Sequence, residues 1–389
     1  MDLKSMIDTR RKGVPDVVFF LTVFILIGIG IAMSYSASAV FSLRTHGDSF
    51  FILKKQLLWF VVGFIALIIF QEIDYRIYMR HTKVLLILSV GLLLLLFVPG
   101  IAYVAKGSAR WIRFGGIGFQ PSEFVKIFIV IYLSKVFSED HSESENPLMQ
   151  LLIPMLILGL LFFLILMQPD FGTAVDLLII SVAILFVSGF PMVYIVTLFI
   201  LSVPAFYLLV YQVDYRRQRI LAYLDPWADR YGNGYHIIQS FIAFKMGSLM
   251  GVGLGNGTQK INRLPEPYND FIFAVIAEEA GLFGTAAVIL LFAFFLWRGI
   301  KISLEAIDDF GRLLSIGLTL LIVIQAYINI GVVTGSLPTT GIPLPFISYG
   351  GSSLLSSMIC AGIMLNISRY RETVSENMKL DESEYGVFL

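Results

Sequence analysis

The chain has 389 residues, of which 57% are hydrophobic and 14% charged, with a mean hydropathy of +0.82; no water-soluble core needs so apolar a balance, which places it in the membrane class. Its 28 basic and 28 acidic residues cancel, so nothing in the total points to nucleic acid or another polyanion as partner. Cys360 is the single cysteine and lies in an apolar run, which excludes internal disulfides, thiolate clusters and Cys-based zinc sites.

The N-terminus opens on charged residues, and its first apolar run spans about twenty residues without a small-residue cleavage site, unlike a removable signal peptide. Runs able to cross roughly 30 Å of hydrocarbon fall at 14–36, 57–71, 84–99, 121–137, 149–167, 172–189, 192–211, 271–297, 312–334 and 350–367. They predict an all-α polytopic protein with ten transmembrane helices in a single domain over 1–389. With the N-terminus inside, the inner loops carry 14 Lys and Arg and the short outer loops six; the positive-inside rule therefore puts both termini in the cytoplasm. A cytoplasmic tail follows at about 368–389, and a long outer segment at 212–270 holds seven basic residues, Arg216 and Lys260 among them. Long loops cross whatever their charge. Polar turns and apolar stretches alternate in this one, which predicts helices that dip into or lie on the membrane.

Four stretches carry candidate chemistry. In residues 108–126, Pro121, Ser122 and Glu123 read as a helix start, and Lys126 is spaced to pair with Glu123. The same pair suits either a plain helix-start ion pair or a functional group at a membrane cavity, and Arg110 and Arg113 just before it are placed for phosphate contacts. Asp170 lies near the outer turn between the fifth and sixth spans, where capping or packing is the simpler role. Residues 251–281 begin with four alternate glycines, too irregular for a dinucleotide fingerprint, and lead to Asp270 in the first turn of the eighth span. An acid there caps orphan N–H groups and complements the helix dipole; it equally suits a catalytic base, rigidly held by the small-residue stripe Ala274, Ala277, Gly281 and Gly284. Glu278 and Glu279 lie about 12 to 13 Å deeper at 1.5 Å per residue, where a carboxylate is functional or paired. Finally, residues 335–353 form a shaped outer loop in which Ser348, Gly350, Gly351 and Ser352 open the last helix with bare N–H groups, an anion site or ordinary turn chemistry. Gln325 and Asn329, four apart on the ninth span, suit helix–helix adhesion.

Taken together, these residues resemble the shape, elongation, division and sporulation family of peptidoglycan polymerases typified by FtsW, RodA and SpoVE. The resemblance is carried by YSASA at 35–39, SARWI at 108–112, PSEFVK at 121–126, QPDFGT at 168–173, RRQRILAYLDPWADRYGNGYHIIQS at 216–240, LPEPYNDFIFAVIAEE at 264–279 and LPTTGIPLPFISYGGSS at 337–353. The DPWAD and GVGLGNGTQK spellings are closer to the FtsW and SpoVE branch.

The resemblance implies ten transmembrane helices in a bacterial cytoplasmic membrane, a large extracytoplasmic loop, and polymerisation of lipid II with Asp270 as the catalytic carboxylate. It carries Arg110, Glu123 and Lys126 over as substrate-site residues. It further implies a class B penicillin-binding protein as transpeptidase partner, contact with other cell-wall proteins and membrane lipids, support by a divalent cation such as Mg or Mn, and no organic cofactor. In the expected reaction Asp270 takes the proton from a sugar 4-hydroxyl, which displaces undecaprenyl pyrophosphate with inversion. Two rivals share the same residues. A lipid II transporter would use intramembrane polar groups as a pathway, marked by inverted repeats with matched broken helices, and no such repeat is visible. A non-catalytic division scaffold would not need Asp270.

Overall fold

The computed structural model describes residues 13–105, 108–114, 117–139, 147–261 and 263–370. Its helices are, in order, α1 (Val17–His46), α2 (Phe51–Glu72), α3 (Arg76–Arg80), α4 (Thr82–Leu95), α5 (Pro121–Ser138), α6 (Pro147–Leu166), α7 (Phe171–Val187) and α8 (Met192–Tyr211). There follow α9 (Asp214–Leu224), α10 (Tyr235–Gly247), α11 (Ile272–Leu304), α12 (Asp309–Val333) and α13 (Gly351–Ile367). Every one of the apolar runs is a helix, and α1, α2, α8, α11 and α12 are long and apolar enough to cross a membrane by length and composition. Lys4, Arg10, Arg11, Lys12, Lys106, Arg371 and Lys379, which enter the orientation count, lie outside the described residues, as does most of the 368–389 tail.

One boundary moves, and small residues let helices pack closely. Helix α1 runs ten residues past the expected end at 36, since Ser34, Ala37, Ser38 and Ser42 continue its buried face. It stops at Gly47, whose left-handed backbone (φ 71°) lets its N–H close on the Leu43 carbonyl at 3.0 Å. Helices α2 and α13 approach at backbone distance: a Cβ on Gly362 would stand 2.6 Å from the Leu67 carbonyl oxygen.

Three features depart from the sequence reading. The bundle is mostly helical, as expected of an all-α polytopic protein, and adds one element the sequence reading did not foresee: β1 (Ala102–Ala105), β2 (Ser108–Phe114) and β3 (Ile117–Phe119) form an antiparallel sheet in that order. Tyr103, Val104, Trp111, Ile112 and Phe114 are strand-favouring side chains, and Ala105 pairs with Ser108. The second departure lies inside α11, which breaks at Gly281 (φ 66°, ψ −159°). Ala274, Ala277, Gly281 and Gly284 therefore do not form one continuous stripe. The freed backbone is satisfied by the segment after α10. Leu282 N–H donates to the Ser248 carbonyl, and Val252 and Gly253 N–H to the Glu278 and Glu279 carbonyls, each at 3.0 Å. Broken backbone at membrane depth is tolerated where protein covers it in this way. The third departure is at Asp270, which precedes α11; the cap position belongs to Phe271.

The two ends of the described chain meet. Gly13 N–H donates to the Arg369 carbonyl at 2.9 Å, Asp16 N–H to Ser368 Oγ at 3.0 Å, and the Asp16 carboxylate is ion-paired with Arg298. Since α13 ends beside this junction, its start lies at the opposite end of the bundle, together with the sheet and the starts of α5, α7 and α11. That end holds the candidate site.

Candidate active site

The turn Pro267–Phe271 is fixed from outside the helix it leads into. Asn329 of α12 donates Nδ2 to the carbonyls of both Asp270 and Ile342 at 2.8 Å. Ser348 donates Oγ to the Asn269 carbonyl at 2.7 Å, and Tyr349 N–H donates to the Tyr268 carbonyl at 2.9 Å. His236 of α10 stacks on the Phe271 ring at 5.3 Å. Asn329 does not bridge two helices as its spacing suggests; it holds the non-helical backbone of Asp270 and Ile342. The Asp270 side chain itself is half-buried, and its Oδ2 would stand 3.5 Å from a Cβ at Gly341, where φ is 81°. The neighbouring Tyr268 phenol is pushed up to about 12 by burial and then by Glu266, so it remains a neutral hydroxyl at physiological pH.

Opposite this turn, β2 and α9 supply cations. Arg110 donates to the Pro169 carbonyl and lies 3.5 Å from Asp170, with its Nε buried and unpartnered. Asp170 caps α7 by accepting from Thr173 N–H at 3.3 Å, so it both caps and packs. Arg219 donates Nη1 to the Thr339 carbonyl at 2.9 Å and lies over the Tyr215 ring. Burial, and then the nearby Arg110, lower its pKa, while Tyr215, Asp270 and Asp170 pull it back up. Asp270, Asp170, Arg110 and Arg219 therefore form one electrostatic neighbourhood.

The 337–343 loop threads between these groups. A Cβ on Gly172 at the start of α7 would meet the Thr340 carbonyl oxygen at 2.7 Å, and Thr340 Oγ1 is buried without a partner. Arg219 is the residue that sequence reasoning missed. Arg216 and Arg219 are three apart and share a helix face, but Arg216 turns back to the Leu209 carbonyl at 2.8 Å and covers the Phe171 ring. The choice between them is made by docking of α9 on the 336–339 segment, where Tyr223 also donates to the Ser336 carbonyl.

Several expected site residues lie elsewhere. Glu123 and Lys126 form the anticipated pair, but inside the bundle at 5% and 1% exposure, with Asp176 of α7 as a third member. Lys260 is not open to a substrate: it is ion-paired with Glu279 and donates to Ser36 and the Gly255 carbonyl. Glu278 accepts from Thr258 N–H at 2.7 Å and Gln259 N–H at 3.1 Å. The two intramembrane acids thus anchor the glycine-rich 251–260 segment. The start of α13 is not bare either. The Trp59 indole covers Gly351, Gly350 is half-buried, Ser352 Oγ accepts from Gln120 N–H at 2.9 Å, and Ser348 is bonded internally.

For a divalent cation, the described residues contain no group of three or more His, Cys, Asp or Glu able to hold one. Asp170 has Arg110 beside it and Asp270 lies in the field of Arg219, a set that suits an anion better than a protein-held metal.

The family model for FtsW/RodA/SpoVE cell cycle proteins matches residues 16–373. A Geobacter metallireducens protein named probable peptidoglycan glycosyltransferase FtsW is 42% identical, covering 95% of this chain and 98% of the relative. Stage V sporulation protein E of Bacillus subtilis is 41% identical, covering 93% and 99%. Among solved structures, a chain of a peptidoglycan synthase complex that coordinates polymerization and crosslinking superposes with a TM-score of 0.76 at 25% identity, covering 92% of this chain and 99% of that one. Thermus thermophilus RodA gives a TM-score of 0.67 at 23% identity, covering 92% and 98%, and speaks to fold alone.

Proposed function

Because the chain belongs to the FtsW/RodA/SpoVE family, we propose that it is a peptidoglycan glycosyltransferase that polymerises lipid II at the outer face of a bacterial cytoplasmic membrane. This reading takes the chain to cross the membrane ten times with both ends in the cytoplasm, so that Asp270 and α9 face the outer side, where the substrate's head group lies. The names of its relatives support the activity. The observation that carries the site is Asp270, fixed through its backbone and set in the field of Arg219.

In the proposed reaction Asp270 accepts the proton of an acceptor 4-hydroxyl as that oxygen attacks the anomeric carbon of the donor sugar. The new glycosidic C–O bond forms as the C–O bond to the diphosphate breaks from the opposite face, and the bonding pair leaves with undecaprenyl pyrophosphate. A diphosphate needs positive charge more than a proton, so one carboxylate suffices, in contrast to glycosidases whose leaving alcohol requires an acid. Arg110 and Arg219 supply that charge. The partner in this reading is a class B penicillin-binding protein, in keeping with the synthase complex to which a structural neighbour belongs.

A purified-protein assay tests the reading. Glycan chains form from lipid II with this chain and its partner; lipid II crossing vesicles with no chains formed would mean transport instead. Rescue of a polymerase-deficient strain by Asp270→Ala would favour a scaffold.

A further inference from the structure

Buried charge in the bundle is not balanced at Lys126. Its ammonium lies 3.0 Å from Glu123 Oε1 and 3.2 Å from Asp176 Oδ2, and Asp176 is fully buried on α7. From α12, Gln325 donates Nε2 to Asp176 Oδ2 at 3.0 Å; from α13, Ser356 donates to Glu123 Oε2 at 3.3 Å, and Cys360 lies within electrostatic reach of Lys126 and Glu123. Among the described residues Lys126 is the one cation paired with this cluster. Two ionised carboxylates would leave a net negative charge in the protein interior, where an uncompensated ion is strongly disfavoured.

The two acids are not equivalent. Glu123 receives a donor on each oxygen, Lys126 on one and Ser356 on the other. Asp176 receives both of its donors on Oδ2, while Oδ1 is buried with no hydrogen-bond partner. A carboxylic acid accepts through its carbonyl oxygen and carries hydrogen on the other. An unpaired neutral hydroxyl is also a far smaller penalty than an unpaired anionic oxygen.

We propose that Asp176 is held as a neutral carboxylic acid with its proton on Oδ1, so that the Glu123–Lys126–Asp176 cluster is uncharged. Asp176 then positions Lys126 and links α5, α7 and α12 through hydrogen bonds that do not depend on its charge. The inference rests on this geometry and not on the reaction catalysed.

Infrared spectroscopy of the full-length protein in detergent tests it. The difference between wild type and Asp176→Asn shows a protonated-carboxyl C=O band present in the first and lost in the second. Asparagine keeps a carbonyl oxygen for Lys126 and Gln325, so the melting temperature stays within about 2 °C, whereas Asp176→Leu, which removes that acceptor, lowers it well beyond this. A difference spectrum showing only ionised carboxylate overturns the proposal, as does a melting loss in Asp176→Asn equal to that of Asp176→Leu. Asp176→Glu, which keeps the carboxyl, reads the same state independently as a shift of the protonated band, and no shift in that region overturns the proposal.

Discussion

Asp270 and the pair Glu278–Glu279 lie on one short stretch of chain, yet the fold treats them in opposite ways. Around Asp270, Asn329, Ser348 and Tyr349 hold the backbone, and the side chain stays half-exposed. At Glu278 and Glu279 the carboxylates themselves are taken up by Lys260, Ser36 and the N–H groups of Gly255, Thr258 and Gln259, at 0% and 1% exposure. A carboxylate saturated with donors is a structural anchor, because its charge is already matched. One whose main chain is pinned can present a reactive oxygen without losing position. The distinction separates the proposed base from its supports more clearly than depth in the membrane does.

Substitutions can break or sharpen this contrast. The largest expected stability effect is at Glu279→Gln, which strands Lys260 and should cost about 3–5 kcal/mol, read as a lower melting temperature in detergent; Asp270→Asn should leave the melt close to wild type. Next, Arg219→Ala should slow initial polymer formation on the order of 10²-fold through lost stabilisation of the departing diphosphate, and Arg216→Ala should slow it far less. Gly281→Ala should destabilise by about 3 kcal/mol: its backbone conformation is essentially restricted to glycine, and the new Cβ would lie 2.4 Å from Gly251 N. Smallest is Ser348→Ala, which removes the bonds to Asn269 and Leu344; it should cost about 1–2 kcal/mol, with polymer formation reduced because Asp270 loses part of its frame.

Helices were legible because hydropathy is written along one dimension, and each apolar run became one. The sheet was not read from the sequence, because Tyr103, Val104, Trp111 and Ile112 sit in a stretch that reads first as the approach to α5. Contacts between distant residues were not legible either. Glu123 and Lys126 announce each other at three residues' spacing, whereas Asp176 is fifty residues from Lys126 and looks like a lone polar residue in an apolar helix. Lys260 reads as one more loop cation until the fold brings it to Glu279. The break at Gly281 hides in the same way, because a glycine that ends a helix and one that lets a neighbour pack look alike until the second strand of backbone, Ser248–Gly253, is in place.

The most direct test of the account is the rate of glycan-chain formation from lipid II by Asp270→Asn, measured beside wild type with the same partner and at matched folded fraction. Loss of a general base predicts a fall of about 10²–10⁴-fold with the melt unchanged. Chain formation at the wild-type rate by a folded Asp270→Asn protein would contradict it.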